Sequence, residues 1–219
     1  MKSGILLIDK PQGITSHDVV DIARKRFGLR RIGHAGSLDP LATGLLIILV
    51  DRATKEFNRF MNLDKEYQGS LKLGASTDSG DAWGKIIETR GYPDPDEQKV
   101  LAVFKELEGI KEMLPPMVSA LKYKGEPLYK LARKGITVAR KVRPVKIYSL
   151  KLLKLALPEI EFSLKCSKGT YVRSLAEEIA QRLDSLGHII SLRRTSIGSY
   201  LVSEAKDINT FNENDIRPF

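Results

Sequence analysis

Asp39 is the side chain whose surroundings most clearly favour chemistry. It lies in segment 33–44 (GHAGSLDPLATG), which contains three glycines and one proline and leads directly into the apolar run 45–50. Because Pro40 disfavours helical backbone in the residue before it, we expect Asp39 in an extended loop. A carboxylate presented in this way can act as a general base or as a nucleophile. The simpler alternative is an Asp-Pro turn, in which the carboxylate accepts hydrogen bonds from nearby backbone N–H groups.

Three other side chains could work with such a carboxylate. Arg173 lies near the predicted start of a helix, where the helix dipole disfavours a cation, so a nearby anion is expected unless this is an ordinary surface arginine. Tyr67 lies in segment 65–74, whose alternation is typical of a strand, and the simplest interpretation is an aromatic side chain packed on a half-buried sheet. His34 lies in the same loop as Asp39 and could be a hydrogen-bonded loop histidine.

The sequence lacks the common motifs of cofactor-dependent chemistry. It contains no Walker A, GxGxxG, HExxH or GxSxG pattern, and its three histidines have no ligand spacing between them. Asp78 and Asp81 have no histidine or third carboxylate at ligand spacing, so we expect a turn there and not a metal site. The single cysteine, Cys166, excludes an intramolecular disulfide and a CxxC pair and is expected in the core. We therefore expect a reaction that needs no cofactor and no metal.

The charge distribution favours an anionic partner such as nucleic acid. The formal net charge is +9 and the sequence pI is about 9.5. Residues 78–112 carry nine acidic and five basic side chains, whereas residues 119–146 carry nine basic side chains and one acidic side chain. Tyr123 and Tyr129 lie among these cations, which suits a phosphate backbone with bases that can stack. Residues 24–31 form a second basic cluster. For both clusters the alternative to nucleic-acid binding is an ordinary solvated surface.

Periodicity and turn residues predict the elements that must position these side chains. Segments 4–10, 45–50, 65–74, 142–157 and 160–167 are predicted strands. One predicted helix has Ser16 as its N-cap and stops at Gly28, another has Asp94 as its N-cap and stops at Gly109, and Thr54 caps a short third helix. A fourth helix opens after segment 168–171. No apolar run is long enough to span a bilayer and the N-terminus has no secretory segment, so we expect a cytoplasmic protein.

The residues around Asp39 resemble the signature of the TruB-type tRNA pseudouridine synthases, a pattern close to G-H-x-G-x-L-D-P-x-A-x-G. Four further blocks are similar to motifs of that family, and together the five blocks span residues 9–198. The four blocks are Asp9-Lys10-Pro11-x-Gly13-x-Thr15-Ser16, residues 65–84 with Lys65-x-Tyr67, residues 115–135, and Gly169-Thr170-Tyr171-x-Arg173-Ser174 completed by Leu192-Arg193-Arg194-Thr195-x-x-Gly198.

The resemblance implies roles for individual residues. Asp39 would attack the ribose C1′ or remove a proton from C2′, and the sequence does not choose between these routes. Arg173 would pair with Asp39 and favour its ionised form, and Tyr67 would stack on the flipped uracil. The remaining substrate-binding residues would be His34, Tyr171, Leu192 and Lys10.

The resemblance also implies a fold and a substrate. The fold would be α+β, with a mixed, largely antiparallel sheet flanked by helices, forming one catalytic domain over residues 1–219 without a C-terminal PUA domain. The substrate would be uridine 55 in the T loop of tRNA, modified by a monomer that uses no nucleotide cofactor and contacts no membrane. Two alternatives stay open: a non-catalytic RNA-binding protein that uses Gly33-x-x-Gly36 in the manner of a KH loop, and an RNA hydrolase with Asp39 as its base.

Overall fold

A computed structural model describes residues 3–119 and 121–219. Ala120, which belongs to the motif block 115–135, lies outside the described residues, as do Met1 and Lys2. The strands are β1 Gly4–Lys10, β2 Ile32–Ala35, β3 Thr43–Val50, β4 Lys65–Leu73, β5 Ala75–Thr77, β6 Ile86–Thr89, β7 Gly109–Met113, β8 Lys122–Tyr123, β9 Glu126–Pro127, β10 Arg143–Ala156, β11 Glu159–Cys166, β12 Gly187–Ile197, β13 Tyr200–Leu201 and β14 Lys206–Asp207. The helices are α1 Ser16–Phe27, α2 Phe57–Met61, α3 Glu97–Leu107, α4 Leu128–Arg133 and α5 Val172–Arg182, with short 3₁₀ helices at Asp51–Glu56, Val202–Glu204 and Glu213–Asp215.

The chain divides into two compact units. The first unit comprises residues 1–68 and 192–219, and the second comprises residues 69–191. Strands β4 and β12 each contribute one part of their length to each unit. The first unit is therefore assembled from two segments that are far apart in the sequence.

The first unit contains strands in the order β14, β1, β3 and β12, with β2 also paired to β3 and β13 to β12. Strand β3 is buried from Gly44 to Val50 because its alternate side chains face two different clusters. One cluster combines β1, β3, α1 and the C-terminal segment through Leu6, Ile8, Val19, Val20, Leu46, Ile48, Ile208, Phe211 and Ile216. The other includes Ile5, Leu7, Leu45, Ile47, Leu49 and Phe60. Burial on both faces explains the continuous apolar run in the sequence.

The second unit contains the order β4, β11, β10 and β7, together with the hairpins β5–β6 and β8–β9. In β11 every second residue from Ile160 to Cys166 is buried, which confirms the expected core position of Cys166. Helix α3 contacts β10 and α5 and buries Val100, Val103, Phe104 and Leu107, the apolar stripe that its sequence predicts.

Most pairings in the fold are antiparallel. They include β1–β3, β2–β3, β7–β10, β10–β11 and β12–β13, whereas β1–β14 and β3–β12 are parallel. The predicted α+β class, with a mixed and largely antiparallel sheet flanked by helices, is confirmed. In the two described stretches of the chain, none of the helices combines the length and apolar composition that crossing a bilayer requires.

The cap of α1 differs from the prediction. Thr15, and not Ser16, is the N-cap: its hydroxyl accepts a hydrogen bond from the Asp18 N–H at 3.1 Å, and the Asp18 carboxylate accepts one from the Thr15 N–H at 2.7 Å. The reciprocal pair requires an acidic residue three positions after the cap, and only Thr15 has one. Gly28 ends the helix in left-handed backbone, as predicted.

Two other predicted helix ends are also wrong. Asp96, and not Asp94, caps α3 by accepting a hydrogen bond from the Lys99 N–H at 2.8 Å. Asp94 and Asp96 both belong to a residue type that commonly caps a helix. The cap is Asp96, which lies one full turn before the first buried residue of the helix, Val100. Thr54 lies inside a 3₁₀ helix, where its hydroxyl donates to the Asp51 carbonyl at 2.6 Å and caps nothing in α2.

Candidate active site

Backbone hydrogen bonds hold the loop of Asp39 on both sides of the carboxylate. The Ser16 hydroxyl accepts from the Leu38 N–H at 2.8 Å and donates to the Leu38 carbonyl at 3.2 Å. The Gly13 N–H donates to the Pro40 carbonyl at 2.9 Å. The residue before Asp39 and the residue after it are thus both tied to the N-terminal motif. Asp39 itself is half-buried, and its carbonyl accepts a hydrogen bond from the Ala42 N–H at 3.0 Å, so the Asp-Pro pair opens a backbone turn.

A buried arginine supports the same loop. Arg194 on β12 is 1% exposed, and its guanidinium donates to the carbonyls of Leu45 at 2.7 Å, Gly36 at 3.0 Å and Ser37 at 3.4 Å. Arg194 belongs to one of the motif blocks, but the sequence pattern predicts no role for it. Its partners are backbone carbonyls, which the sequence does not single out.

Lys10 at the end of β1 is fully buried. Its ammonium donates to the carbonyls of Pro11 at 2.9 Å and Ile14 at 2.8 Å. Burial lowers the pKa of Lys10 to about 8; the negative charge of Asp39 raises it in part, and the positive charge of Arg194 lowers it further. Lys10 is therefore coupled to the charge of Asp39 and holds the turn that follows β1.

His34 is half-buried on β2, opposite Ile48 of β3. Burial lowers its pKa to about 4, and the positive charges of Arg194 and His17 act in the same direction. Its Nδ1 atom is buried and has no hydrogen-bond partner among the described residues. The imidazole is consequently neutral at neutral pH.

The Gly33-x-x-Gly36 segment does not have the setting of a KH loop. Gly33 lies within β2, which pairs antiparallel with β3. A KH loop joins two helices, so this geometry disfavours the RNA-binding alternative that rests on this motif.

Two more predicted residues belong to the first unit. Tyr67 on β4 is 8% exposed, on the buried side of a strand with clean alternation. Leu192 on β12 is half-buried. The first unit thus contains five of the predicted site residues, namely Lys10, His34, Asp39, Tyr67 and Leu192.

The second unit contains Tyr171 and Arg173, at the start of α5. Arg173 is 6% exposed, so it is not the ordinary surface arginine that was the alternative. Its guanidinium donates to the carbonyl of Val118 at 2.7 Å and to the carbonyl of Ser79. The position of the cation is fixed by backbone acceptors from two loops. Tyr171 is half-buried and directly precedes the helix.

The aspartates near residue 80 form a turn, as predicted. The Asp81 carboxylate accepts hydrogen bonds from the Ser79 hydroxyl at 2.7 Å and the Trp83 N–H at 3.0 Å. Asp78 accepts one from the Lys85 N–H at 2.9 Å. Across residues 3–119 and 121–219, no three His, Cys, Asp or Glu side chains are grouped so that they could hold a metal ion.

Comparison with known proteins decides the family. The sequence profile described as "TruB family pseudouridylate synthase (N terminal domain)" matches residues 24–172. The chain belongs to the TruB family. The Asp39 loop lies within this match. The N-terminal motif, which hydrogen-bonds to that loop, lies before residue 24, where the match begins.

Named relatives of this TruB chain cover most of its length. The "tRNA pseudouridine synthase B" of Opitutus terrae is 45% identical over 202 residues, which are 92% of this chain and 84% of that protein. The protein of the same name from Syntrophotalea carbinolica is 46% identical over 93% of this chain and 66% of its own length. The Clostridium tetani protein is 41% identical over 99% of this chain and 75% of its own length.

Solved structures share the fold. One chain from "Crystal Structure of a Cbf5-Nop10-Gar1 Complex" superposes with a TM-score of 0.74 at 28% identity, covering 94% of this chain and 52% of that one. A chain from "Structure of H/ACA RNP bound to a substrate RNA containing 2'-deoxyuridine" gives 0.70 at 26% identity, with 94% and 51% coverage. This TruB chain spans about half the length of both.

Proposed function

We propose that this chain isomerises uridine to pseudouridine in tRNA, at uridine 55 of the T loop, with Asp39 as its catalytic carboxylate. The observation that carries the proposal is the Asp39 loop, fixed on both sides by Ser16 and Gly13, in a member of the TruB family. Relatives that are 41–46% identical are named tRNA pseudouridine synthase B.

The reaction is an isomerisation that one carboxylate can support. The N-glycosidic bond breaks, the uracil turns, C1′ bonds to C5, and the proton on C5 is lost while N1 gains one. Asp39 either attacks C1′ to form a covalent intermediate or removes the C2′ proton to give a glycal. Both routes require the ionised carboxylate and neither oxidises or reduces the substrate.

The other residues have roles in binding and charge. Reaching C1′ requires the nucleotide to leave the stack, and Tyr67 provides the aromatic face for the flipped base. Arg173, whose guanidinium is held by the carbonyls of Ser79 and Val118, is the cationic member of the proposed catalytic set. His34 is neutral, so it contacts RNA by hydrogen bonding or stacking and not as a phosphate-binding cation. Tyr171 and Leu192 contact the flipped nucleotide, and Lys10 supports the binding of substrate.

The substrate determinant is the T arm. The basic segment 119–146 provides cations for the phosphate backbone, and the stem-loop is recognised mainly by shape. We also propose that the protein acts as a monomer in the cytoplasm and that residues 1–219 form its catalytic domain. An isolated T-arm hairpin should therefore be modified nearly as fast as whole tRNA, and a large loss of rate on the hairpin would contradict this part.

Tritium release from tRNA labelled at uridine C5 tests the reaction directly. We expect release by the wild type in the presence of chelator, no release by Asp39→Asn, and similar tRNA affinity for both proteins. Tight binding without release from either protein would favour the RNA-binding alternative. Free uracil or cleaved RNA, lost on addition of chelator, would favour a metal-dependent hydrolase.

A further inference from the structure

Arg194 is a buried cation that is held by backbone carbonyls. No Asp or Glu lies at ion-pair distance from its guanidinium among the described residues, and its hydrogen bonds go to three backbone carbonyls. Burying a charge is costly unless its donors are satisfied. Replacement by an apolar residue of similar size would avoid that cost, so the guanidinium has a function beyond filling space.

The three carbonyls belong to the two ends of the loop that contains Asp39. Gly36 and Ser37 precede Asp39 by three and two residues, and Leu45 follows it by six. A planar guanidinium offers several donors in fixed directions, so one side chain can join acceptors from both ends. An ammonium group lacks that fork and cannot reproduce the same set of bonds.

The backbone of Arg194 also lies against the loop. Arg194 is opposite Gly44 in the parallel pairing of β12 with β3. A Cβ atom at Gly44 would lie 2.3 Å from the Arg194 carbonyl oxygen, and Gly44 has a φ of 101°. Only glycine permits this approach, so the exit of the loop is fixed by the main chain of Arg194 as well as by its side chain.

We propose that Arg194 is a positioning residue that fixes the Asp39 loop in its reactive geometry. The inference rests on the proposed function, because it assigns a task to Arg194 only if Asp39 performs the chemistry. Arg194 touches no substrate in this scheme. It acts through the carbonyls of Gly36, Ser37 and Leu45, and its loss should slow the chemical step without weakening the binding of tRNA.

Arg26, at an exposed position, offers a control within the first unit. Its guanidinium also donates to two carbonyls, those of Ile208 at 3.1 Å and Phe211 at 3.0 Å, and it stacks 4.1 Å from the centre of the Phe211 ring. These acceptors belong to the C-terminal segment and not to the Asp39 loop. Arg26→Lys therefore removes guanidinium–carbonyl hydrogen bonds that do not involve the Asp39 loop.

The experiment compares Arg194→Lys, Arg26→Lys and Asp39→Asn by single-turnover rate, tRNA Kd and Tm. A displacement of about 1 Å at a catalytic group costs about 100-fold in rate, which is the expected loss for Arg194→Lys, while its Kd stays within about twofold of the wild type. Arg26→Lys, at an exposed position, should lower Tm less and keep its rate. Hydrogen exchange at the Leu38 N–H should accelerate only in Arg194→Lys.

Each result has a definite meaning. A wild-type rate for Arg194→Lys, or an equal loss of rate in Arg26→Lys, would overturn the positioning role. If Arg194→Lys does not fold, Arg194→Gln replaces it; failure of both to fold, with Arg26→Lys folded, would assign Arg194 to stability alone and overturn the proposal. Full activity of Asp39→Asn would instead refute the proposed function, whatever the outcome at Arg194.

Discussion

The hydroxyl of Ser16 hydrogen-bonds to both backbone polar groups of Leu38, the residue that precedes Asp39. Ser16 can do this because Thr15 caps helix α1 in its place. The start of α1 thereby has two separate tasks, with Thr15 capping the helix and Ser16 holding the loop.

The separation of these tasks can be tested with Ser16→Ala. Loss of the hydroxyl leaves the buried N–H and C=O of Leu38 without this partner, which costs about 1–3 kcal/mol in the free energy of unfolding and loosens the loop. We expect the single-turnover rate to fall while the tRNA Kd is kept. Thr15→Ala is the control, because it costs about 1 kcal/mol through loss of the cap but leaves both bonds to Leu38 in place. Equal loss of rate in the two variants would contradict the assignment.

The lowered pKa of His34 predicts a specific acid sensitivity. Its pKa is about 4 in the folded protein, against an ordinary value of about 6.5 in the unfolded chain. Between these values the unfolded state binds more protons, so the stability from neutral His34 is complete above about pH 6.5 and is lost as the pH falls to 4. Urea unfolding at pH 7, 5 and 4 should show the wild type losing about 1–3 kcal/mol more than His34→Asn.

The ring and the hydroxyl of Tyr67 should have separable effects, because the ring stacks on the flipped base whereas the hydroxyl would assist removal of the C5 proton. Tyr67→Phe keeps the stacking face, so tRNA affinity and cleavage of the glycosidic bond should persist while release of tritium from C5 slows. Tyr67→Leu removes the face as well and should abolish both steps. Quenched single-turnover reactions would distinguish cleavage from release. Tritium release by Tyr67→Phe at the wild-type rate would exclude a role for the hydroxyl.

The basic segment can be examined through salt dependence. Lys130 and Lys141 are exposed and have no ion-pair partner among the described residues. Replacing each by Ala should weaken binding of tRNA and reduce the slope of log K against log salt by about one unit per lost phosphate contact. Lys99→Ala and Lys105→Ala, which lie on helix α3, serve as controls and should leave the slope unchanged. Equal changes in the two sets would mean that only net charge matters.

Strong periodic signals predicted the parts of the fold that place Asp39. The apolar run of β3 and the alternation of β4 are stronger than any helix or turn signal in the same residues. Both strands occur where they were predicted. Helix caps were harder to predict because Thr15 and Ser16, like Asp94 and Asp96, offer equivalent side chains within two residues of each other. The task of Arg194 was not visible, since its partners are backbone carbonyls and any residue supplies one.

The core of the first unit contains Leu6 and Val19 together with Ile208, Phe211 and Ile216, which the ribosome adds after residues 69–191. At ordinary elongation rates the N-terminal strands wait on the order of 10 s for these partners. During translation the second unit is complete before the first can close. The segment that presents Asp39 therefore acquires its final support late in synthesis, and a nascent chain stopped before Ile208 would leave the face of α1 exposed to chaperones.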